Sequence, residues 1–309
     1  MLNIDSLSLL CELLGCEKPK HPLIAVVNFN SIKTLEKFSK ASYVQNFYVI
    51  SMKNGIDCEL KYGRQAYDFN EGSLVCTSPG QILESGGDKT QPSEAAEGWM
   101  LCIHPELMRG TSLWHKMPGY SFFEYKAHEA LHLSESEKAI VERTVANIRE
   151  EYSANIDTYS KDLIVSNLEV LLNYANRFYG RQFITRTNIN KGIVLQFDAL
   201  LQKRCAPNTL EHQGQPSVKE LAGAMGYSPN YLSDMLKKET GKTTQEHIKL
   251  QIMALAESLL RTTDEPVYLI ADKLGFEQPA SFTKFIKAQY GVTPVSLRKQ
   301  YTGPNSKSG

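Results

Sequence analysis

The feature that most limits what this chain can fold into is a repeat in its last hundred residues. Ser217-Val-Lys-Glu-Leu-Ala-Gly-Ala-Met-Gly226 opens one unit, and Val267-Tyr-Leu-Ile-Ala-Asp-Lys-Leu-Gly275 opens the other. Leu221, Ala222, Met225, Gly226 and Tyr227 recur 49 positions on as Ile270, Ala271, Leu274, Gly275 and Phe276. Leu232, Met235, Leu236 and Gly241 recur 50 positions on as Phe282, Phe285, Ile286 and Gly291, so one residue has entered the second turn. Two stretches with one apolar pattern share one supersecondary structure, so the fold of the first unit dictates that of the second.

Each unit reads as two short helices around a tight turn. The apolar residues of the first helix fall on one face of a 3.6-residue period. A glycine follows, where a helix end favours a positive φ. Ser228-Pro229 and Gln278-Pro279 restart the chain, with proline suited to a first helical turn. In the second helix Leu232, Met235 and Leu236 face inward, and Asn230, Ser233, Asp234 and Lys237 face outward. Its repeat turns Phe282, Phe285 and Ile286 inward and Ala280, Thr283, Lys284 and Lys287 outward. A polar second helix behind a glycine turn makes a helix-turn-helix, whose second helix can enter a major groove. Plain hairpins of an all-α domain are the competing reading. Against it stands the joining stretch from Thr244 to Arg261, apolar along one face at Ile248, Ile252, Leu255, Leu259 and Leu260. As a helix it would run roughly 27 Å, enough to hold two reading units about one duplex turn apart.

These residues resemble the DNA-binding domain of AraC/XylS-type transcription regulators. The likeness lies in Val218-Lys-Glu-Leu-Ala222, Gly226-Tyr-Ser-Pro-Asn-Tyr-Leu-Ser233, Leu236-Lys-Lys-Glu-Thr-Gly241, Ala256-Glu-Ser-Leu-Leu260, Ile270-Ala-Asp-Lys-Leu-Gly-Phe276, Ser281-Phe-Thr-Lys-Phe285 and Gly291-Val-Thr-Pro-Val-Ser-Leu-Arg298. It covers about residues 215 to 300. Two positions depart from the family pattern. Ile252 stands where the linker helix often carries arginine, and Asp234 stands where the first recognition helix often offers Arg or Lys. The expected base-reading residues are Asn230, Ser233 and Asp234 in the first unit and Gln278, Ser281 and Lys284 in the second. Asn can pair adenine through two hydrogen bonds and Asp can accept from cytosine, while Lys suits guanine. Lys237, Lys238, Lys287 and Arg298 are expected at phosphates.

Charge agrees with this placement. Net charge is zero over 309 residues. Residues 181–309 hold 17 Lys and Arg against 11 Asp and Glu, and residues 1–180 hold 17 against 23. The basic half suits a nucleic-acid partner. Six cysteines lie scattered, with no CxxC pair, as free thiols of a reducing compartment do. No signal-peptide pattern and no run of 18 apolar residues is present, so a cytoplasmic location and no membrane contact are expected.

Earlier in the chain, residues 4–14 read as a short amphipathic helix. β-Branched and aromatic runs follow at 23–29, 43–51, 57–62, 73–77 and 99–103, separated by turns such as Asn54-Gly55, Pro79-Gly80 and Gly86-Gly87. That spacing argues a sandwich or barrel. The run from Tyr67 to Gly80 is similar to the cupin-like sensor barrels that often precede AraC-type domains. A barrel mouth could hold a small effector among Tyr43, Phe47, Tyr48, Tyr62, Trp99 and His104, although such aromatics also simply fill cores. The cupin metal signature is absent. His128 and His132 have the spacing of a zinc pair on a helix but lack a nearby third ligand, so no metal and no cofactor are expected.

Two longer helical patterns come next. Ser134 and Glu137 read as a capping box, with Val141, Val145, Ile148 and Tyr152 continuing the face. A second helix turns inward Leu163, Ile164, Leu168, Leu171, Leu172, Ala175 and Phe178, a broader face than one partner helix needs. Leu168, Leu171, Leu172 and Ala175 are therefore expected at a homodimer interface, where the resemblance also places the dimer contact. A buttressing helix carries Ile193, Val194, Phe197, Leu200 and Leu201. A Pro-, Gly- and Asn-rich loop over 206–216 and a small polar tail from 302 complete the chain. The expected architecture is two-domain: a mainly-β cupin-like barrel (1–130), a helical dimerisation segment (131–183) and an all-α tandem helix-turn-helix domain (184–301). The expected function is a bacterial transcription regulator of AraC type. Its partners would be double-stranded promoter DNA, a second copy, a small-molecule effector and RNA polymerase. The alternative is a cupin-fold metal-dependent enzyme with an accessory DNA-binding domain.

Overall fold

A computed structural model describes residues 1–38, 42–54, 72–84, 97–154 and 157–302. The strand expected over 57–62, the Gly86-Gly87 turn, Tyr62 and the tail from 303 lie outside the described residues. The chain forms two compact units, Met1–Arg186 and Thr187–Gly309. No helix among the described residues is long and apolar enough to cross a membrane.

The first unit opens with β1 (Leu2–Ile4) and α1 (Leu7–Leu13), so Ile4 belongs to a strand and not to the amphipathic helix expected there. Then come β2 (Ile24–Asn28), β3 (Ser42–Gln45), β4 (Tyr48–Asn54), β5 (Gly72–Thr77), β6 (Ile82–Glu84) and β7 (Glu97–Ile103). After β7 lie α2 (Ser112–Lys116), β8 (Leu131–Leu133), α3 (Glu135–Ser153) and α4 (Ser160–Thr185). The apolar run 43–51 breaks at Asn46-Phe47 because its halves serve different sheets. β3 sits in a three-stranded sheet of order β1-β3-β6, and β4 in a five-stranded sheet of order β2-β7-β4-β5-β8. The described strands form these two sheets, a β-rich unit as expected, and no closed ring is seen among them.

Strand alternation splits the larger sheet into two apolar faces. Ile50 pairs with Leu101, Met52 with Leu74 and Trp99, and Leu74 with Leu131, which lines up one face. On the other face Ala25, Val49 and Cys102 pack against Leu7, Leu10 and Leu14 of the α1 segment, together with Phe38 and Phe47. α3 starts at the expected capping box: Glu137 N–H donates to Ser134 Oγ at 3.3 Å, and Ser134 N–H to Glu137 at 3.0 Å.

α4 packs on both α3 and β8. This is why its apolar face is broad, and it corrects the expected dimer interface. Leu168 and Leu171 are 0% exposed and Leu172 and Ala175 1%, so all four are core of their own unit. Leu163, expected inside, is 47% exposed. The i, i+4 spacing of His128 and His132 is not helical: His128 lies in a short 3-10 turn and His132 in β8. Among the described strands β8 ends the larger sheet, and α4 answers its outer side. Gln182 accepts from the His132 N–H at 2.7 Å and donates to the Ala130 carbonyl at 3.1 Å. Arg181 donates to the His132 carbonyl at 2.6 Å while forking onto Glu137 at 2.7 and 3.0 Å.

The second unit is all helical: α5 (Thr187–Arg204), α6 (Pro207–Gln213), α7 (Val218–Ala224), α8 (Pro229–Thr240), α9 (Thr244–Thr262), α10 (Val267–Lys273), α11 (Pro279–Tyr290) and α12 (Pro294–Thr302). α7–α8 and α10–α11 are the two helix-turn-helix units, joined by α9. Capping boxes start α7 at Ser217/Glu220 and α9 at Thr243/Glu246. The residues 206–216, expected as loop, contain α6. Their polar composition hid it, but Pro207 stands at a first helical turn, where proline is favoured. The core holds Leu221, Leu232, Met235, Leu236, Ile252, Ile270, Phe282 and Ile286. Phe285, expected inside, is half-buried and rests on Phe276 at 5.4 Å.

Candidate nucleic-acid interface

The two recognition helices have the same length and opposite balances of exposure. α8 begins at Ser228, whose hydroxyl accepts from the Tyr231 N–H at 3.2 Å. α11 begins at Gln278, whose side chain makes no capping bond. Gln278, Ser281 and Lys284 follow one another at i, i+3 and i+6 along α11, and all three are exposed. The reading candidates of the first unit, Asn230, Ser233 and Asp234, are half-buried along α8, and of these only Asp234 shares a repeat position with its partner in the second unit, Lys284. The phosphate candidates Lys237, Lys238 and Lys287 are exposed in the last turns of the two helices. A long cation with its head in water is the state in which a phosphate can be met without a desolvation cost.

Arg298 is placed differently from its expected role. It is half-buried, and its Nη2 donates to the Glu265 carbonyl at 2.6 Å. The guanidinium therefore holds α12 to the chain entering α10, a contribution to the fold rather than a phosphate contact.

Further side-chain contacts steady the recognition helices, and the sequence reading assigned none of these contacts. Glu257 on α9 accepts from Tyr301 of α12 at 3.1 Å and from Tyr290, the last residue of α11, at 3.3 Å. Burial, and then the carboxylate itself, push both phenols above their ordinary pKa. At the end of α8, Thr240 Oγ1 lies 2.8 Å from His247 Nε2. The His247 ring stands edge-on to Phe197 at 5.4 Å, and burial lowers its pKa. Tyr227 stacks on Tyr231 across the first turn at 5.5 Å. A periodicity scan finds apolar faces, and contacts made by tyrosine hydroxyls or a neutral imidazole leave no such trace.

The candidate effector residues do not converge. Phe47 is 0% exposed on the α1 face of the large sheet. Tyr48 pairs in register with Ile103 and Trp99 with Met52, which sets both on the opposite face. Tyr43 belongs to the smaller sheet and packs on Phe38 at 5.1 Å. His104 accepts from the Glu106 N–H at 3.3 Å, starting a 3-10 turn. A cavity of about 160 Å³ does open in this unit, lined by His21, Leu23, Leu107, Tyr152 and Ile164 among others, and it includes none of the five candidates that are described. Among the described residues no three His, Cys, Asp or Glu side chains cluster to hold a metal.

Comparison with known proteins bears on the C-terminal unit. A family model described as a helix-turn-helix domain matches residues 221–300. Regulatory protein SoxS of Escherichia coli (strain K12) is 34% identical over 89 residues, which are 28% of this chain and 83% of SoxS. The HTH-type transcriptional regulator YtdP of Bacillus subtilis is 34% identical over 90 residues, 29% of this chain but only 12% of YtdP. A solved structure, the C-terminal domain of the response regulator yesN from Fusobacterium nucleatum, has 27% identity. It covers 35% of this chain and 98% of that one, with a TM-score of 0.32. Matched at this identity across most of SoxS, and carrying two tandem helix-turn-helix units, the chain belongs to the AraC/XylS-type family of transcription regulators.

Proposed function

We propose that this regulator reads promoter DNA with α8 and α11 in successive major grooves on one face of the duplex. The exposed strip Gln278, Ser281 and Lys284 carries this reading, because its donors and acceptors are uncommitted at the start of a helix that the fold holds outward. Asn230, Ser233 and Asp234 form the second, less exposed reading surface, and Lys237, Lys238 and Lys287 take phosphates. The chain divides its labour by segment, with residues 1–130 sensing, 131–183 associating and 184–301 binding DNA. Sensing would fall to a β unit of the cupin-like kind, with a small molecule or a partner as its signal. RNA polymerase is the machine addressed, and the cytoplasm the place. Association as a homodimer is supported by the apolar residues left outside at the N-cap of α4 and along it, Tyr159, Leu163 and Val170, which are 68%, 47% and 44% exposed. The protein works on this reading by binding and not by catalysis.

Selection of duplexes from a random pool by the full chain, followed by footprinting, tests the proposal. Each protomer should protect two short base clusters about 10 bp apart. Protection without sequence preference, or of a single cluster, would overturn it. Stoichiometric metal in the purified protein would instead favour an enzyme.

A further inference from the structure

Gly226 and Gly275 hold the same place in the two repeats, each at the turn of its unit, with φ of 83° and 73°. Their surroundings differ. A Cβ on Gly226 would meet nothing within 4 Å. A Cβ on Gly275 would lie 2.9 Å from the Gly214 carbonyl carbon, 2.9 Å from the Leu210 oxygen and 3.0 Å from the Gln215 nitrogen. All three are backbone atoms, so no side-chain rotation could make room. The Gln215 amide also donates to the Leu274 carbonyl at 3.1 Å, gripping the residue before Gly275. The other end of this segment is tied to the first unit. Arg204 binds Glu220, the capping residue of α7, and donates to the carbonyls of Gly214 at 3.2 Å and Gln213 at 3.3 Å. Residues 204–215 therefore start on one helix-turn-helix unit and end on the turn of the other.

We propose that this segment is a brace that fixes the spacing of the two recognition helices, with Arg204 and Gln215 as its positioning residues. The proposal rests on the reading that α8 and α11 engage one duplex. The covalent link between the units is α9. A helix sets a length, but chain at its two ends can act as a hinge. A second attachment, from α7 to the turn at Gly275, closes a ring with α9 and removes that freedom. Gly275 then meets two demands, a left-handed φ and a close backbone approach, and Gly226 meets only the first. Asparagine tolerates the left-handed region. It should be accepted at Gly226 and should displace the brace at Gly275.

The test measures the distance between spin labels at positions 238 and 287 in the full chain without DNA, the labels being carried by a bioorthogonal amino acid. Gly226→Asn should leave the distance distribution as in the parent, and Gly275→Asn should broaden it. Should Gly275→Asn fail to fold, Gln215→Ala removes one grip with no backbone demand and should broaden it to a lesser degree. Unchanged widths in Gln215→Ala and in a folded Gly275→Asn overturn the brace. On a duplex selected by the parent, one extra base pair between the clusters should weaken the parent about tenfold, the scale of one lost bidentate base contact. The Gln215→Ala variant should lose much less, and equal losses also overturn the proposal. If no two-cluster duplex is ever selected while the distances behave as stated, the DNA reading fails and the brace stands.

Discussion

Replacing Glu257 by alanine should cost the C-terminal unit about 2 kcal/mol. The carboxylate accepts from Tyr301 at 3.1 Å and from Tyr290 at 3.3 Å. A hydrogen bond to a charged group contributes about 1.5–3 kcal/mol when shielded. The Glu257 side chain is 36% exposed, which brings each bond down to about 1 kcal/mol. The Arg261 pair at 3.9 Å adds a few tenths, and the better helix propensity of alanine takes a similar amount away. For a unit of this size the net loss corresponds to about 6–8 °C in Tm. The assay has a built-in control, since both tryptophans, Trp99 and Trp114, lie in the first unit. Circular dichroism at 222 nm should show the fall, and the tryptophan fluorescence transition should stay in place. Tyr301→Phe and Tyr290→Phe should each reproduce about half of it. If both phenylalanine variants are neutral while Glu257→Ala loses the full amount, the hydroxyl bonds are not what Glu257 contributes.

Other outcomes follow from the reading face. Lys284→Ala should relax base preference at one cluster by about 1–3 kcal/mol in footprinting, with the other cluster untouched. Asp234→Ala should relax the second cluster and raise affinity for unrelated DNA, by removing a negative charge from the DNA face; unchanged preference would mean that α8 only holds the backbone. Lys287→Ala should weaken binding to all sequences alike and lower the salt slope by about one, whereas a change at a single base would contradict a phosphate role. His247 titrates lower in the fold than in the unfolded chain, so acid favours the unfolded chain. Stability of the second unit should fall as pH drops below about 6.5 and level off beneath the lowered pKa. Melting of His247→Gln should show a shallower acid loss, and an identical pH profile would remove His247 from the account.

The second unit was legible because its signals are local. Glycines, prolines and capping residues bound each helix, and the 3.6-residue period marks the faces, so α8 and α11 stand where the repeat puts them. Exposure was less legible. Phe285 follows the apolar period yet sits at the margin, and Arg298 ends on a carbonyl that no pattern names. In the first unit β1, β6 and β8 have only three residues each, too few for alternation to register. The breadth of the α4 face was plain in the sequence, but its cause was not: breadth says that two surfaces are covered, not whose. There the second surface is β8, which is itself nearly invisible in sequence. The aromatic residues around β3, β4 and β7 failed as a group for a related reason, since a one-residue step along a strand changes the face.

The capped edge of β8 bears on how copies of this protein can meet. An open edge offers a row of N–H and C=O groups to any extended chain, and association by strand addition is the common hazard of such sheets. Here the outward pair of His132 is already answered, by Gln182 and Arg181, from a helix that also forms the core. A foreign strand would have to displace charged and amide side chains that also cap α3 through Glu137. That side of the sheet is sealed against sheet-to-sheet growth. Two adjacent residues of one helix, Arg181 and Gln182, thus occupy the groups through which strand addition at β8 would proceed.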